Sequence, residues 1–184
     1  VTVLNEARTL DRLLDSLAAQ VRQPDEVVVC DGGSTDGTLQ LLNAEGRLDL
    51  RVLERPGANI SQGRNAAIHA STGDVVAVTD AGVRLDLAWL ERIVEPLEEG
   101  RGRVAAGFFR PDPQTVFEVA MGATVLPELR DIRAERFLPS SRSVAFFKDA
   151  WKEVGGYPEW LGYCEGLIFD LRLRSRYGPF VLVP

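Results

Sequence analysis

Val27-Val28-Val29-Cys30 places four apolar residues in a row, and the chain passes at once into Asp31-Gly32-Gly33-Ser34-Thr35-Asp36-Gly37 before Leu39, Leu41 and Leu42 resume. An apolar run without polar alternation is a strand buried on both faces, and the helix after the glycine loop covers one of them. The same unit stands earlier in the chain: Val1 to Leu4 is a short apolar run, followed by Leu10, Leu13, Leu14 and Leu17 on one helical face. Parallel neighbours cannot be joined by a hairpin, so two strand–helix units in succession predict an α/β fold with a mostly parallel, doubly wound sheet and right-handed crossovers.

The pattern continues with a strand at Arg51 to Glu54, stopped by Pro56-Gly57, a helix from about Ser61 to Ala70, a strand at Val75 to Thr79, and a helix from Ala88 to Leu97 that Asp86 is placed to cap. It then becomes less regular. Val104 to Phe109 reads as a strand, Pro111 and Pro113 as a loop, Val116 to Met121 as the start of a helix, and Ser143 to Phe147 as a strand. A helix at Asp149 to Val154, the turn Gly155-Gly156-Tyr157-Pro158 and a helix from about Glu165 to Tyr177 complete it. With 45% hydrophobic and 26% charged residues, no internal repeat and no linker, residues 1–184 read as one domain.

A formal charge of −6 excludes a general nucleic-acid surface, which needs clustered Lys and Arg. No apolar run approaches the roughly 20 residues that span a bilayer, so membrane association is not visible in this segment. The two cysteines, Cys30 and Cys164, lack the close spacing of metal sites and read as free thiols of a reducing compartment. The expected location is the cytoplasm, with the inner face of a membrane open to a longer protein of which this chain, beginning at Val1 rather than Met, is expected to be a piece. His69 is the only histidine and sits in an Ala-rich helical segment, where a packing or surface role is the plainer reading.

Ligands of an open parallel sheet bind beyond the carboxyl ends of its strands. Asn5 and Glu6 follow the first strand, Asp31 the second and Asp80 the fourth, with Arg64 and Asn65 early in the intervening helix. Singly, each has a structural reading as cap or turn residue; jointly, caps do not explain why carboxylates gather at one rim. Gly32 to Gly37 has P-loop spacing, but Thr38 stands where the phosphate-binding Lys belongs, and Ser34 breaks the dinucleotide fingerprint. A calcium loop fails at Gly33 and Leu42. What remains is a strand-end carboxylate able to accept an N–H from a pyrimidine or guanine base. As a loop carboxylate, Asp31 is expected to be exposed and replaceable without loss of fold.

Val28 to Thr38 resembles the nucleotide-binding segment of family 2 glycosyltransferases with the GT-A fold. Val3-Leu4-Asn5-Glu6 resembles that family's opening strand, Gly63-Arg64-Asn65-Ala66-Ala67 its donor-side Ala-Arg-Asn-Xaa-Gly, and Gly73 to Ala81 the strand leading into its Asp-Xaa-Asp. Val154-Gly155-Gly156-Tyr157 and Leu171-Arg172-Leu173-Arg174 resemble the turn before the acceptor-site helix and that helix's end. The resemblance implies a nucleoside diphosphate sugar donor held by Asn5, Glu6, Asp31, Arg64 and Asp80, a divalent cation (Mg or Mn) at Asp80, and transfer to an acceptor hydroxyl with inversion. Residues 1–100 would form the nucleotide-binding half and 101–184 the acceptor-side half. The acceptor, whether glycan, lipid-linked or small molecule, is left open.

Two positions depart from that family. Asp80-Ala81-Gly82 lacks the second metal-binding carboxylate, and Glu165-Gly166 lacks the Asp that serves as base. Asp86 is the nearest substitute ligand, although its place before a helix favours capping. Glu165 is the remaining base candidate, against a plain helix-start role. Asp170 lies about 140° around the helix from Glu165 and is expected to form a surface pair with Arg174. A weakened domain that still binds nucleotide or glycan is the alternative. A nucleotidyltransferase fits worse, because its Gly-rich, Arg-containing loop would stand where this chain has Asn5-Glu6-Ala7-Arg8.

Overall fold

Leu10, Leu13, Leu14 and Leu17 are all buried on one face of helix α1 (Leu10–Ala18), which is how the i, i+3, i+4, i+7 spacing becomes structure. The computed structural model describes residues 1–125 and 127–184 of the chain. Strands β1 (Thr2–Val3), β2 (Val27–Asp31) and β3 (Leu50–Glu54) pair in parallel, in the order β1-β2-β3. Helix α2 (Thr38–Ala44) follows the glycine loop, and α3 (Ile60–Ala70) opens with a reciprocal capping box between Asn59 and Gln62. Helix α3 lies close on the sheet because residue 63 is glycine: a Cβ there would stand 2.8 Å from the Thr2 side chain.

The second half is mixed. Strand β4 (Val75–Val78) pairs antiparallel with β6 (Val144–Phe147), β6 antiparallel with β5 (Val104–Gly107), and β5 parallel with β7 (Val181–Val183), giving the order β4-β6-β5-β7. The doubly wound reading therefore holds for the parallel half and is corrected in the second. The chain leaves β5, runs through residues 108–143 and re-enters the sheet in the opposite direction, which antiparallel pairing permits without a crossover helix over the face. Strand β7 was legible only as an apolar run. Helices α4 (Trp89–Glu98), α5 (Val116–Val125), α6 (Lys148–Glu153) and α7 (Glu165–Tyr177) complete the chain, with two single 3₁₀ turns at Leu129–Asp131 and Ala134–Arg136.

The core beneath the mixed sheet joins Ile68, Val144, Phe146, Tyr157, Phe169 and Leu173, with the Tyr157 and Phe169 rings stacked 4.1 Å apart between centroids. Burial of each large apolar side chain is worth about 1.5–3 kcal/mol. This packing anchors α7, and with it Glu165, against the sheet. Among the described residues no helix is long and apolar enough to cross a membrane.

Candidate functional site

The loops after β1 and β2 are stitched together by side chains. Asn5, whose φ of 55° is left-handed, accepts the Thr35 N–H at Oδ1 (2.8 Å) and donates its own N–H to Ser34 Oγ (2.9 Å). The Glu6 N–H donates to Thr38 Oγ1, and the Ala7 N–H to Asp36. The Thr38 hydroxyl donates in turn to Asp36 (2.6 Å), and that bond is the main cause holding the Asp36 carboxyl below its ordinary range. Asn5, through its side-chain oxygen and its N–H, and Glu6, through its N–H, thus fix the shape of the rim. The Glu6 carboxylate accepts from Thr9 Oγ1 and lines the cleft beside it.

Asp31 is wholly buried, which corrects the expectation of an exposed loop carboxylate. Its Oδ1 accepts the N–H groups of Gly33 and Ser34, both at 2.8 Å, so the side chain holds the turn that Gly33 makes at φ 105°. Among the described residues Oδ2 has no partner. A buried carboxylate oxygen without a donor is costly and calls for one, from water or a ligand.

Arg64 projects from α3 and is only 3% exposed, with its guanidinium 2.7 Å from Asp80 Oδ1 and 2.7 Å from Glu165 Oε1. Three residues from separate elements, each a site candidate in the sequence, are therefore brought into one bridge. It also sits 5.4 Å from the centroid of the Tyr157 ring. Burial raises the Tyr157 hydroxyl far above its ordinary range, and that hydroxyl lies 3.2 Å from Ser141 Oγ. Glu165 begins α7 with its carboxylate turned to Arg64; its second oxygen makes no hydrogen bond among the described residues.

Asn65, counted among the rim residues from sequence, does other work. Its Oδ1 accepts from Trp151 Nε1 and the Tyr157 N–H, and its Nδ2 donates to the Tyr157 carbonyl and to Glu159. It ties the Gly155-Gly156-Tyr157 turn to α3, and a Cβ at Gly156 would lie 2.8 Å from Asn65 Oδ1. Asp170 corrects a second expectation: it is 1% exposed rather than paired on the surface, and Arg174 donates instead to the carbonyls of Glu135 and Arg136. Neither Asp170 oxygen has a partner among the described residues. Burial pushes its carboxyl up to about 8, with the Arg64 charge pulling the other way.

A cleft of about 1010 Å³ meets the bridge at Asp80 and is lined among others by Glu6, Gly32, Asp80, Gly82, Asp86 and Trp89, whereas Asp31, Arg64 and Glu165 do not line it. Five arginines also line it, Arg12, Arg84, Arg92, Arg110 and Arg142, and sequence reasoning named none of them. Arg12 and Arg84 share Asp112 Oδ2 at 2.6 and 3.0 Å, and Arg142 Nε lies 3.8 Å from Asp80 Oδ2. Asp86 accepts the Ala88 N–H at 3.0 Å in the turn ahead of α4, whose N-cap is Ala88 without a side-chain cap bond, so the expected capping role is corrected.

A divalent cation of the Mg or Mn type requires about six oxygens. Both oxygens of Asp80 face guanidinium groups, position 82 has no side chain, and Asp86 is turned to the backbone. Among the described residues no three His, Cys, Asp or Glu side chains gather as a metal site. The side chains here do not fit a preformed cation site.

The sequence model of the family described as Glycosyl transferase family 2 matches residues 1–151. The chain is similar to Glycosyltransferase GlyA of Streptococcus pneumoniae serotype 4, at 28% identity over 109 residues that cover 58% of this chain and 16% of that protein. Its fold matches the crystal structure of S. aureus TarS 1-349 in complex with UDP, with a TM-score of 0.79 at 21% identity over 98% of this chain and 55% of that one. It also matches the mannosyltransferase PcManGT from Pyrobaculum calidifontis in complex with GDP-Man and Mn2+, with a TM-score of 0.76 at 21% identity over 100% of this chain and 52% of that one. The chain therefore spans about half, or less, of the length of these relatives.

Proposed function

The chain belongs to glycosyl transferase family 2, and from that premise we propose that its cleft binds a nucleoside diphosphate sugar and transfers the sugar to an acceptor hydroxyl with inversion. The observation that carries the reading is the bridge in which Arg64 joins Asp80, two residues beyond β4 and lining the cleft, to Glu165 at the start of α7. A donor-side and an acceptor-side carboxylate are held in register by one buried cation. UDP and GDP-Man are the nucleotides bound by the two structural relatives.

In this reading Asn5 and Glu6 shape the rim that receives the nucleotide, and the unpartnered Asp31 Oδ2 is the acceptor for a base N–H. Asp80 and Arg64 stand beside the diphosphate. The acceptor oxygen attacks the anomeric carbon on the face opposite the diphosphate, a new C–O bond forms, and the bond to the phosphate oxygen breaks with its electron pair leaving on the diphosphate. Glu165 takes the acceptor's proton on the oxygen that Arg64 leaves free. The tests are a binding screen across nucleoside diphosphate sugars followed by turnover. Glu165→Gln is expected to abolish transfer while donor affinity stays within about threefold, because the shape persists and only the proton acceptor is lost. Undiminished turnover in Glu165→Gln removes Glu165 from the base role.

One observation favours a second reading, a domain that binds donor but turns it over slowly. Gly166 offers no carboxylate, and half of the Glu165 carboxylate is taken up by Arg64. Donor binding without hydrolysis or transfer to any of a panel of glycan, lipid-linked and small acceptors supports it.

A further inference from the structure

The departing nucleoside diphosphate carries growing negative charge, and the side chains around Asp80 do not fit the cation that would neutralise it. The charge in the cleft is instead carried by the protein. Five arginines line it against four carboxylates, Glu6, Asp80, Asp86 and Asp112, although the whole chain bears a net charge of −6. Two of the five are spent on Asp112, and Arg92 lies 3.8 Å from Asp86.

Arg92 and Arg110 likewise make no side-chain hydrogen bond among the described residues, but of the five it is Arg142 that stands beside Asp80. Its guanidinium makes no hydrogen bond among the described residues, and its nearest carboxylate oxygen, Asp80 Oδ2, lies 3.8 Å away, beyond hydrogen-bond reach. The side chain is half exposed to the cleft and stands 5.5 Å from the centroid of the Phe109 ring. The backbone that carries it is nevertheless held firmly. Ser141 and Ser143 on either side are buried, Ser141 meeting Tyr157 and Ser143 accepting from Trp89 Nε1 at 2.9 Å, and β6 begins at the next residue.

We propose that Arg142, rather than a divalent cation, meets the charge of the leaving diphosphate, with Asp80 serving to orient that arginine instead of ligating a metal. This rests on the donor reading above. As the bond from the anomeric carbon to the phosphate oxygen breaks, the electron pair passes to the diphosphate, and the forked N–H donors of Arg142 bond its oxygens. A fixed fork matches phosphate geometry, and charge-assisted bonds of this kind act on charge where it develops. Two guanidinium groups within 4 Å of Asp80 also repel a dication from that carboxylate.

The test is calorimetric titration of UDP and of GDP into the folded protein, first treated with EDTA and then supplied with Mg or Mn, for the native chain, Arg142→Ala and Arg142→Lys. The expected result is nucleotide binding that EDTA leaves unchanged, a loss of about 10- to 100-fold in Arg142→Ala, and an intermediate loss in Arg142→Lys, which keeps the charge without the fork. Binding that appears only with added metal and is indifferent to Arg142→Ala overturns the proposal while leaving the donor reading standing. Absence of UDP and GDP binding under both conditions, in protein shown to be folded, overturns both.

Discussion

Asp170 offers a direct check on the electrostatics of the buried side of the site. It is 1% exposed, neither oxygen has a partner among the described residues, and burial pushes its carboxyl from the ordinary 3.8 to about 8. A carboxyl raised in the folded state binds a proton that the unfolded chain has lost, so stability is highest below about pH 4 and falls as pH rises until the folded group also ionises near pH 8. A difference of about 4 units corresponds to about 6 kcal/mol over that window, and to about 4 kcal/mol by pH 7, before relaxation and water entry reduce it. Asp170→Asn has nearly the same shape and no ionisation. Urea unfolding of both proteins between pH 4 and pH 9 should give similar stabilities at pH 4 and an advantage for the Asn protein that widens by several kcal/mol towards pH 8. Parallel pH profiles, or a native protein that gains on the variant as pH rises, would refute the reasoning and place a partner on Asp170.

Three further outcomes are expected. Asp31→Ala should lose nucleotide affinity and also destabilise the domain by about 3 kcal/mol in denaturant titration, because two backbone N–H groups lose their acceptor, whereas Asp31→Asn keeps Oδ1 and should lose affinity with the smaller stability change. Arg64→Ala leaves Asp80 and Glu165 without their shared cation and should cost about 3–5 kcal/mol, read as a lowered urea midpoint, with Arg64→Lys recovering part of it. Gly166→Asp places a Cβ 2.9 Å from Ser141 Oγ, so Ser141 must turn away from Tyr157 at a cost of about 1–2 kcal/mol; turnover should nevertheless rise, and turnover that stays flat would show that position 166 does not face the acceptor.

The parallel half of the fold was legible because each of its parts is local. A four-residue apolar run, a glycine loop and a leucine face each report their own structure, and they recur in the order that parallel pairing requires. Burial of the two aspartates was not legible. Asp31 ends a strand whose five residues are all buried, and Asp170 lies on α7 beside the buried Phe169, so each takes its environment from elements distant in sequence. Helical wheel geometry separates Asp170 from Glu165 around α7 but has no means of saying that the Asp170 side of the helix is buried.

The same distinction explains which residues of the candidate site were legible in the sequence. Asn5, Glu6, Asp31 and Asp80 were sought at carboxyl ends of strands, a rule that holds while strands run parallel. Strand β6 runs against β4, with Val78 opposite Val144, so two residues beyond one strand and two residues before the other bring Asp80 level with Arg142. An antiparallel strand delivers its amino end to the rim, and the residues that belong in the search are those preceding it. Ser140-Ser141-Arg142-Ser143 sits there, on a segment that carried no motif. Two of its serines pin the backbone to Tyr157 and Trp89, leaving the one arginine between them to face the cleft. On the proposal that Arg142 meets the diphosphate, the carboxylates absent at positions 82 and 166 are read together with a cation that the direction of one strand supplies: beside Asp80, which follows β4, stands an arginine that precedes β6, and the expected chemistry follows from the pair.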